Sequence, residues 1–243
     1  MKYFEFEVYG PVALFSDPAT KPSEELTTYP VPTYGAIIGI IKSIYWKPSF
    51  LWRVDSVRVM NEIKYHSEGA SLPQKLFGYN PHERDIFYIT TLVNVRYKVR
   101  AHIIPNPNQT NLIEDGKNIN KHITLAERYL ERGGRRKVFL GKSDYIGFVK
   151  PAKFEEEKGF YDDELIKPIG TMFHSYIHAD EVLDENDAGY LTACFQTGIR
   201  LKNGILQFDS PEKCPYKIKQ KEERIMLFPN KKEVNALALD ETT

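Results

Sequence analysis

Cysteine is scarce in this chain: Cys194 and Cys214 are the only two among 243 residues, and no Cys-x-x-Cys pair exists. That usage suggests neither a zinc-ligand set nor a disulfide framework, and two isolated thiols fit a reducing compartment. Long apolar runs are missing too. The longest, Tyr34 to Ile41, is far short of the ~20 residues that cross a bilayer. The opening Met1-Lys2-Tyr3-Phe4-Glu5 carries charge where an export signal would need an apolar stretch. A soluble, cytoplasmic protein with no membrane partner is therefore expected. Several catalytic signatures are not met: the Walker phosphate loop, the His-Glu-x-x-His zinc motif and the Gly-x-Ser-x-Gly elbow. Repeats and low-complexity tracts are also lacking.

A net charge is lacking as well, since 33 Lys and Arg balance 33 Asp and Glu. This argues against a simple nucleic-acid-coating protein, but the distribution is uneven. Residues 1–94 sum to −1, residues 95–153 to +8 and residues 154–243 to −7. A concentrated basic middle is the kind of patch that attracts phosphates. The competing explanation is that it pairs with the acidic C-terminal third inside one fold. Aromatics are plentiful at 13%. They suit a β-rich core, and exposed ones would stack on bases.

Periodicity sets the expected elements. Phe4, Phe6 and Val8 alternate with Glu5 and Glu7, a half-buried strand. Thr33 can cap a helix reaching about Trp46, with Tyr34, Ile37, Ile38, Ile41, Ile44 and Tyr45 as its apolar stripe, and Pro48 stops it. Residues 53–63 alternate again. Residues 64–84 read as irregular, a protruding hairpin or flexible arm. Residues 86–104 make a long strand with an apolar face and, on the opposite face, Arg96, Lys98, Arg100 and His102. A loop over Asn106 to Asn118 leads to a helix from about Asn120 to Arg132, ended by Gly133-Gly134. A further strand covers about 145–154.

The order β-α-β-β-α-β predicts an α+β protein. Residues 1–154 would form a ferredoxin-like, RRM-like domain, a layout shared with RNA-recognition folds and with many unrelated proteins. Residues 155–243 would form a smaller β-rich C-terminal domain with a flexible tail. Its hairpin signal is Asn203-Gly204, suited to a type I′ turn.

Three clusters could carry chemistry. Lys121 and His122 open the second long helix. Cations are disfavoured there by the helix dipole, yet free N–H groups bind phosphate. The pair makes sense if an anion completes the site; otherwise it is a solvated helix start. Tyr45 lies on a core stripe and reads first as a buried ring, while Lys47 reads as ordinary compensation of a helix C-terminus. Gly133, Gly134, Arg135, Arg136 and Lys137 combine close backbone approach with guanidinium groups that grip phosphate, or form a solvated basic turn. Glu155-Glu156-Glu157 and Asp162-Asp163-Glu164 are weak metal candidates. His174 and His178 read as residues of a strand or turn.

Several stretches carry a resemblance to a known family. Ala13-Leu14-Phe15-Ser16-Asp17-Pro18, Val31-Pro32-Thr33-Tyr34, Ser43-Ile44-Tyr45-Trp46-Lys47-Pro48, Lys121-His122 and Gly133-Gly134-Arg135-Arg136 leading into Phe139-Leu140-Gly141 resemble the CRISPR-associated endoribonuclease of type I-C Cascade, the processing form of the fifth Cas family. The likeness departs at Lys142-Ser143-Asp144-Tyr145, where relatives often carry Arg-Glu-Cys. The resemblance implies a catalytic trio of Tyr45, Lys121 and His122 and no metal or other cofactor. It implies cleavage of the precursor CRISPR RNA repeat hairpin by 2′-hydroxyl attack, leaving a 2′,3′-cyclic phosphate and a 5′-hydroxyl. Arg96, Lys98, Arg100 and the turn at 133–137 would bind the RNA. The implied partners are that hairpin, the mature 5′ handle, and the backbone and large subunits of Cascade, with DNA a further candidate. The alternative is a catalytically silent subunit that only holds the guide RNA handle. A metal nuclease built on Asp162 or Asp163 is a third class.

Overall fold

Alternating Phe4, Phe6 and Val8 make β1 (Phe4–Ala13), whose buried side faces the core and whose other side carries Glu5 and Glu7. The structure is a computed structural model that describes residues 2–20, 25–73, 84–225 and 227–228. After β1 come β2 (Glu25–Leu26), α1 (Tyr34–Ile44), β3 (Phe50–Val59), β4 (Lys64–Pro73) and β5 (Arg84–Pro105). They are followed by α2 (Ile113–Lys117), α3 (Ile119–Leu130), β6 (Val138–Phe139) and β7 (Ile146–Pro151). Last are β8 (Lys167–Ile177), β9 (Tyr190–Lys202), β10 (Ile205–Gln207) and β11 (Tyr216–Glu222).

Among the described residues these strands form one large sheet with few helices. Its main path runs β11-β9-β10-β3-β5-β1-β7-β6, and β2, β4 and β8 pair off it. All pairings are antiparallel except the short β2–β5 contact. In the centre Val8 lies opposite Tyr97 on β5 and Val149 on β7. The two longer helices cover one face. Ile37, Ile40, Ile41 and Ile44 of α1 join Ile123, Ala126 and Leu130 of α3 and the inward residues of β1, β3 and β5 in one core. Each such side chain contributes on the order of 1.5–3 kcal/mol of burial.

The helices differ in detail from expectation. Thr33 does cap α1, its hydroxyl accepting the Ala36 N–H at 3.2 Å. However, α1 ends at Ile44, and Tyr45 is already extended at φ −157°, ψ 130°. Contacts outside the helix hold Tyr45 in that conformation: its carbonyl accepts the Trp52 indole N–H at 2.8 Å. The cap position of α3 is Asn118 rather than Asn120, and the expected loop before it contains α2. For the segment after residue 63, the hairpin is the expectation met where described: β4 pairs antiparallel with the first half of β5, from Lys64↔Val93 to Pro73↔Arg84. The tip of this arm and the expected C-terminal tail lie outside the described residues.

The strands after residue 154, β8 to β11, extend the same sheet. β10 pairs with β3, Leu206 opposite Val57, and Met172, Ile199, Leu201 and Leu206 join the core of the first half. The β9–β10 turn has φ +50° at Asn203 and +70° at Gly204, the double positive φ of a type I′ turn. No helix among the described residues is long and apolar enough to cross a membrane.

Gly141 ties β6 to the end of β1. Leu14 N–H donates to the Leu140 carbonyl at 3.0 Å. Gly141 has φ +96°, and an added Cβ would sit 1.8 Å from the Leu14 oxygen. Gly141→Ala is therefore expected to destabilise the fold by about 2–4 kcal/mol. Denaturant unfolding of the purified variant measures this, and an unchanged midpoint would refute it.

Candidate active site

The expected trio converges. Tyr45 leaves the end of α1 and crosses to α3, where its hydroxyl lies 2.9 Å from His122 Nδ1. Its ring stacks between Phe50 at 5.7 Å and Tyr129 at 5.7 Å. The other His122 nitrogen, Nε2, lies 2.9 Å from the Asp115 backbone carbonyl. A carbonyl can only accept, so Nε2 carries a proton and donates it. In the neutral ring Nδ1 then accepts, and the Tyr45 O–H donates.

Both nitrogens of His122 are thus engaged, and the residue is 0% exposed. Burial lowers its pKa first of all, the Asp115 carbonyl and carboxylate pull it back, and the balance stays below the ordinary 6.5. Tyr45 is 2% exposed. Burial, then the nearby Asp115 charge and Tyr129, push its phenol up to about 12. At neutral pH the pair is a phenol donating to a neutral imidazole.

Asp115, which the sequence reading passed over as a loop residue, organises the rest. Its carboxylate accepts from Ser49 Oγ at 2.9 Å and from Lys121 Nζ at 3.0 Å. Lys47 Nζ lies 3.7 Å away and His122 Nε2 3.5 Å away. Burial alone would raise this carboxyl, but Lys121, Ser49, Lys47 and His122 together hold it below its usual range. The anion that a cationic helix start calls for is supplied, in this state, by Asp115. No spacing rule flags an aspartate six residues ahead of a lysine; only the loop's proximity to the helix start could have hinted at it.

Over the buried pair lie mobile-length cations. Lys121 and Lys47 side chains are 54% and 38% exposed. Arg135, Arg136 and Lys137 are also exposed. Arg135 sits 5.6 Å over the Tyr129 ring, and Arg135 and Arg136 N–H groups both donate to the Ser43 carbonyl, at 3.1 and 3.0 Å. The turn is thereby docked on the end of α1, and Lys42, Trp46, Arg135 and Arg136 line a shallow groove there. Gly133 and Gly134 serve a local purpose. At φ +80° and +101° they cap α3, their N–H groups donating to Leu130 and Tyr129 carbonyls. Those donors are spent within the chain and do not cradle an anion.

Arg96, Lys98 and Arg100 lie elsewhere. Strand alternation turns them away from α1 and α3, and they do not form a free basic face. Arg96 bonds Glu7 and Glu157 at 2.8 and 2.5 Å. Lys98 is 2% exposed and lies 3.9 Å from Glu157. Arg100 bonds Glu5 and Glu155 at 2.8 and 3.2 Å and lies over the Phe154 ring at 4.4 Å. The segment after β7 therefore folds back across this face, as the charge-pairing alternative anticipates. The acidic runs are engaged in the same way: Asp162 with Arg58 at 2.6 Å and Asp163 with Lys158 at 2.7 Å. Among the described residues no cluster of three or more His, Cys, Asp or Glu could hold a metal ion. His174 is buried in β8 and stacks on Tyr34 at 4.3 Å.

Residues 3–209 match the family model described as CRISPR-associated protein (Cas_Cas5). The chain belongs to the Cas5 family. This Cas5 chain is similar to the protein named CRISPR pre-crRNA endoribonuclease Cas5d from Thermus thermophilus. The two are 27% identical over 165 residues, 65% of this chain and 68% of the relative. It is also similar to the protein of the same name from Mannheimia succiniciproducens, 26% identical over 52% of this chain and 61% of the relative. A solved structure called a CRISPR-associated protein superposes with a TM-score of 0.70 at 28% identity. That likeness covers 90% of this Cas5 chain and 97% of the other.

The depressed His122 pKa has a definite sign. Since the folded value lies below the ordinary 6.5, the unfolded chain takes up this proton first on acidification. The stability carried by the neutral ring is full above about pH 6.5 and is lost as pH falls through the folded value. The Asp115 charge favours the protonated ring, so Asp115→Asn is expected to lower the His122 pKa further and prolong that loss to lower pH. NMR titration of the ring protons measures it, and a pKa that rises in the variant would contradict the arrangement.

Proposed function

We propose that this protein is an endoribonuclease that cuts the repeat hairpin of precursor CRISPR RNA without a metal ion and then holds the 5′ handle within Cascade. The observation that carries this reading is the 2.9 Å contact of Tyr45 with His122 beneath a rim of cations. The names of the relatives support the substrate class. The strand order β3-β5-β1-β7 with α1 and α3 on one face supports a ferredoxin-like core. We retain 155–243 as a β-rich extension of it.

In this mechanism the ribose 2′-hydroxyl attacks the adjacent phosphorus. Its proton passes to the Tyr45 oxygen while the phenolic proton passes to His122 Nδ1. His122, buried with both nitrogens occupied, acts through Tyr45 and does not touch the RNA. The resulting imidazolium keeps its Nε2–H bond to the Asp115 carbonyl and faces the Asp115 carboxylate. Lys121 and Lys47 leave Asp115 for the phosphate and offset charge on the phosphorane. The bond from phosphorus to the 5′-oxygen breaks as Lys121 Nζ gives that oxygen a proton, leaving a 2′,3′-cyclic phosphate and a 5′-hydroxyl. Arg135, Arg136 and Lys137 hold the neighbouring phosphates. We assign Arg96, Lys98 and Arg100 to fastening the segment after β7.

The near-complete burial of Tyr45 favours one other reading: a silent subunit that only binds the handle. Cleavage of the repeat hairpin in EDTA, with a 2′-deoxy substitution at the cut, separates them. Cutting is expected to persist in EDTA and to stop with the 2′-deoxy RNA, which still binds. Tyr45→Phe should slow cutting by about 10²-fold or more, with RNA affinity changed only a few-fold. Wild-type rates in Tyr45→Phe, or loss of cutting with the chelator, would sink the mechanism.

A further inference from the structure

A cavity of about 260 Å³ lies between α1, β3 and β8, away from the Tyr45–His122 pair. Two glycines of α1 create it. Gly35 packs on the Ser175 backbone, so close that an added Cβ would meet Ser175 Cα at 3.3 Å. Gly39, one turn later, leaves the space open: a Cβ there meets nothing within 4 Å. Aromatic walls come from Phe173 and Tyr176, whose rings contact each other at 4.9 Å. The polar edges carry both signs. Lys42 is paired with Glu181, and Arg53 with Glu212 at 2.6 Å. Tyr34, 2% exposed, also lines the cavity.

The cavity neighbours the cationic groove: Lys42 lines both, and Trp46, Arg135 and Arg136 line the rest of the groove. Gly39 lies five residues before Ile44, about 7.5 Å of helix rise from the end of α1 that Tyr45 follows. We propose that the cavity receives one unpaired base of the RNA, next to the cleaved linkage, and reads its edge. This deepens the nuclease reading and rests on it. The chemistry selects a base over a phosphate. Each cation at the cavity already has a carboxylate partner, which leaves no net charge to hold a phosphate. Paired donors and acceptors beside the Phe173 and Tyr176 rings match a heterocycle, and the volume lies below that of sites for drug-sized ligands.

The test uses repeat RNA in which each unpaired nucleotide in turn is made abasic, with binding and cutting both measured. One abasic position should weaken binding to the wild type by about tenfold, the scale of one stacked base. Gly39→Leu, a change that favours helix by about 1 kcal/mol, fills the cavity. It should weaken binding of intact RNA by a similar factor and become indifferent to that position. Tyr176→Ala, which removes an exposed wall and leaves the helix untouched, should do the same. Wild-type RNA affinity in Gly39→Leu, the outcome if a protein segment occupies the cavity, overturns the proposal. So do abasic penalties that are equal in wild type and variant at every position. Base-dependent binding without cutting removes the nuclease reading alone. Cutting with base-independent binding removes the cavity alone, and neither binding nor cutting removes both.

Discussion

One hydrogen bond ties this molecule's chemistry to its fold. Tyr45 is the residue at which the first helix stops, and His122 belongs to the first turn of the third. Their contact is possible only because the chain at Tyr45 turns extended, with its carbonyl anchored by the Trp52 indole. The same aromatic layer that stacks on Tyr45 forms part of the core beneath the helices. The site is therefore not a loop placed on a scaffold. It is the seam between two helices, rigid because the core is rigid, with Asp115 holding the histidine tautomer from the other side.

That arrangement also explains how cations tolerate a helix N-terminus. Lys121, Lys47 and a buried imidazole surround one carboxylate, which is hydrogen-bonded by Ser49 as well. One carboxylate offsets two ammonium groups only in part, and the lysines have the length and exposure to exchange that carboxylate for a phosphate. On the opposite face the balance is of another kind. Glu7 is buried between Arg96 and Lys150, and although burial alone would raise its carboxyl, those cations hold it below the usual range. Positive residues of the same basic middle segment thus have different fates: those after α3 remain exposed, while those on β5 fasten the chain to itself.

Much of the fold was legible because it depends on local rules. Thr33 announced its helix, alternation announced β1 and the core half of β5, and Asn203-Gly204 announced its turn. That Tyr45 and His122 would meet was an expectation from the family resemblance, and period-2 or period-3.6 patterns alone would have left Tyr45 as core. What escaped depends on distant partners. Nothing near Asp115 marks it as the hub of four polar groups. Nothing near Arg96 or Arg100 reveals that Glu155 and Glu157 will fold across them. A change of composition near residue 154 suggested a boundary, whereas the hydrogen-bonded sheet runs through it, since the partner of Val57 lies about 150 residues further along.

That last pairing governs how the chain can be made. Until residues 205–207 emerge from the ribosome, the outer side of β3 has no neighbour, and an unprotected strand edge invites pairing with other chains. Contacts so far apart in sequence also form slowly. The nascent protein must therefore pass through a period in which its first half is largely assembled but open along one margin, and β10, only three residues long, is the piece that covers β3.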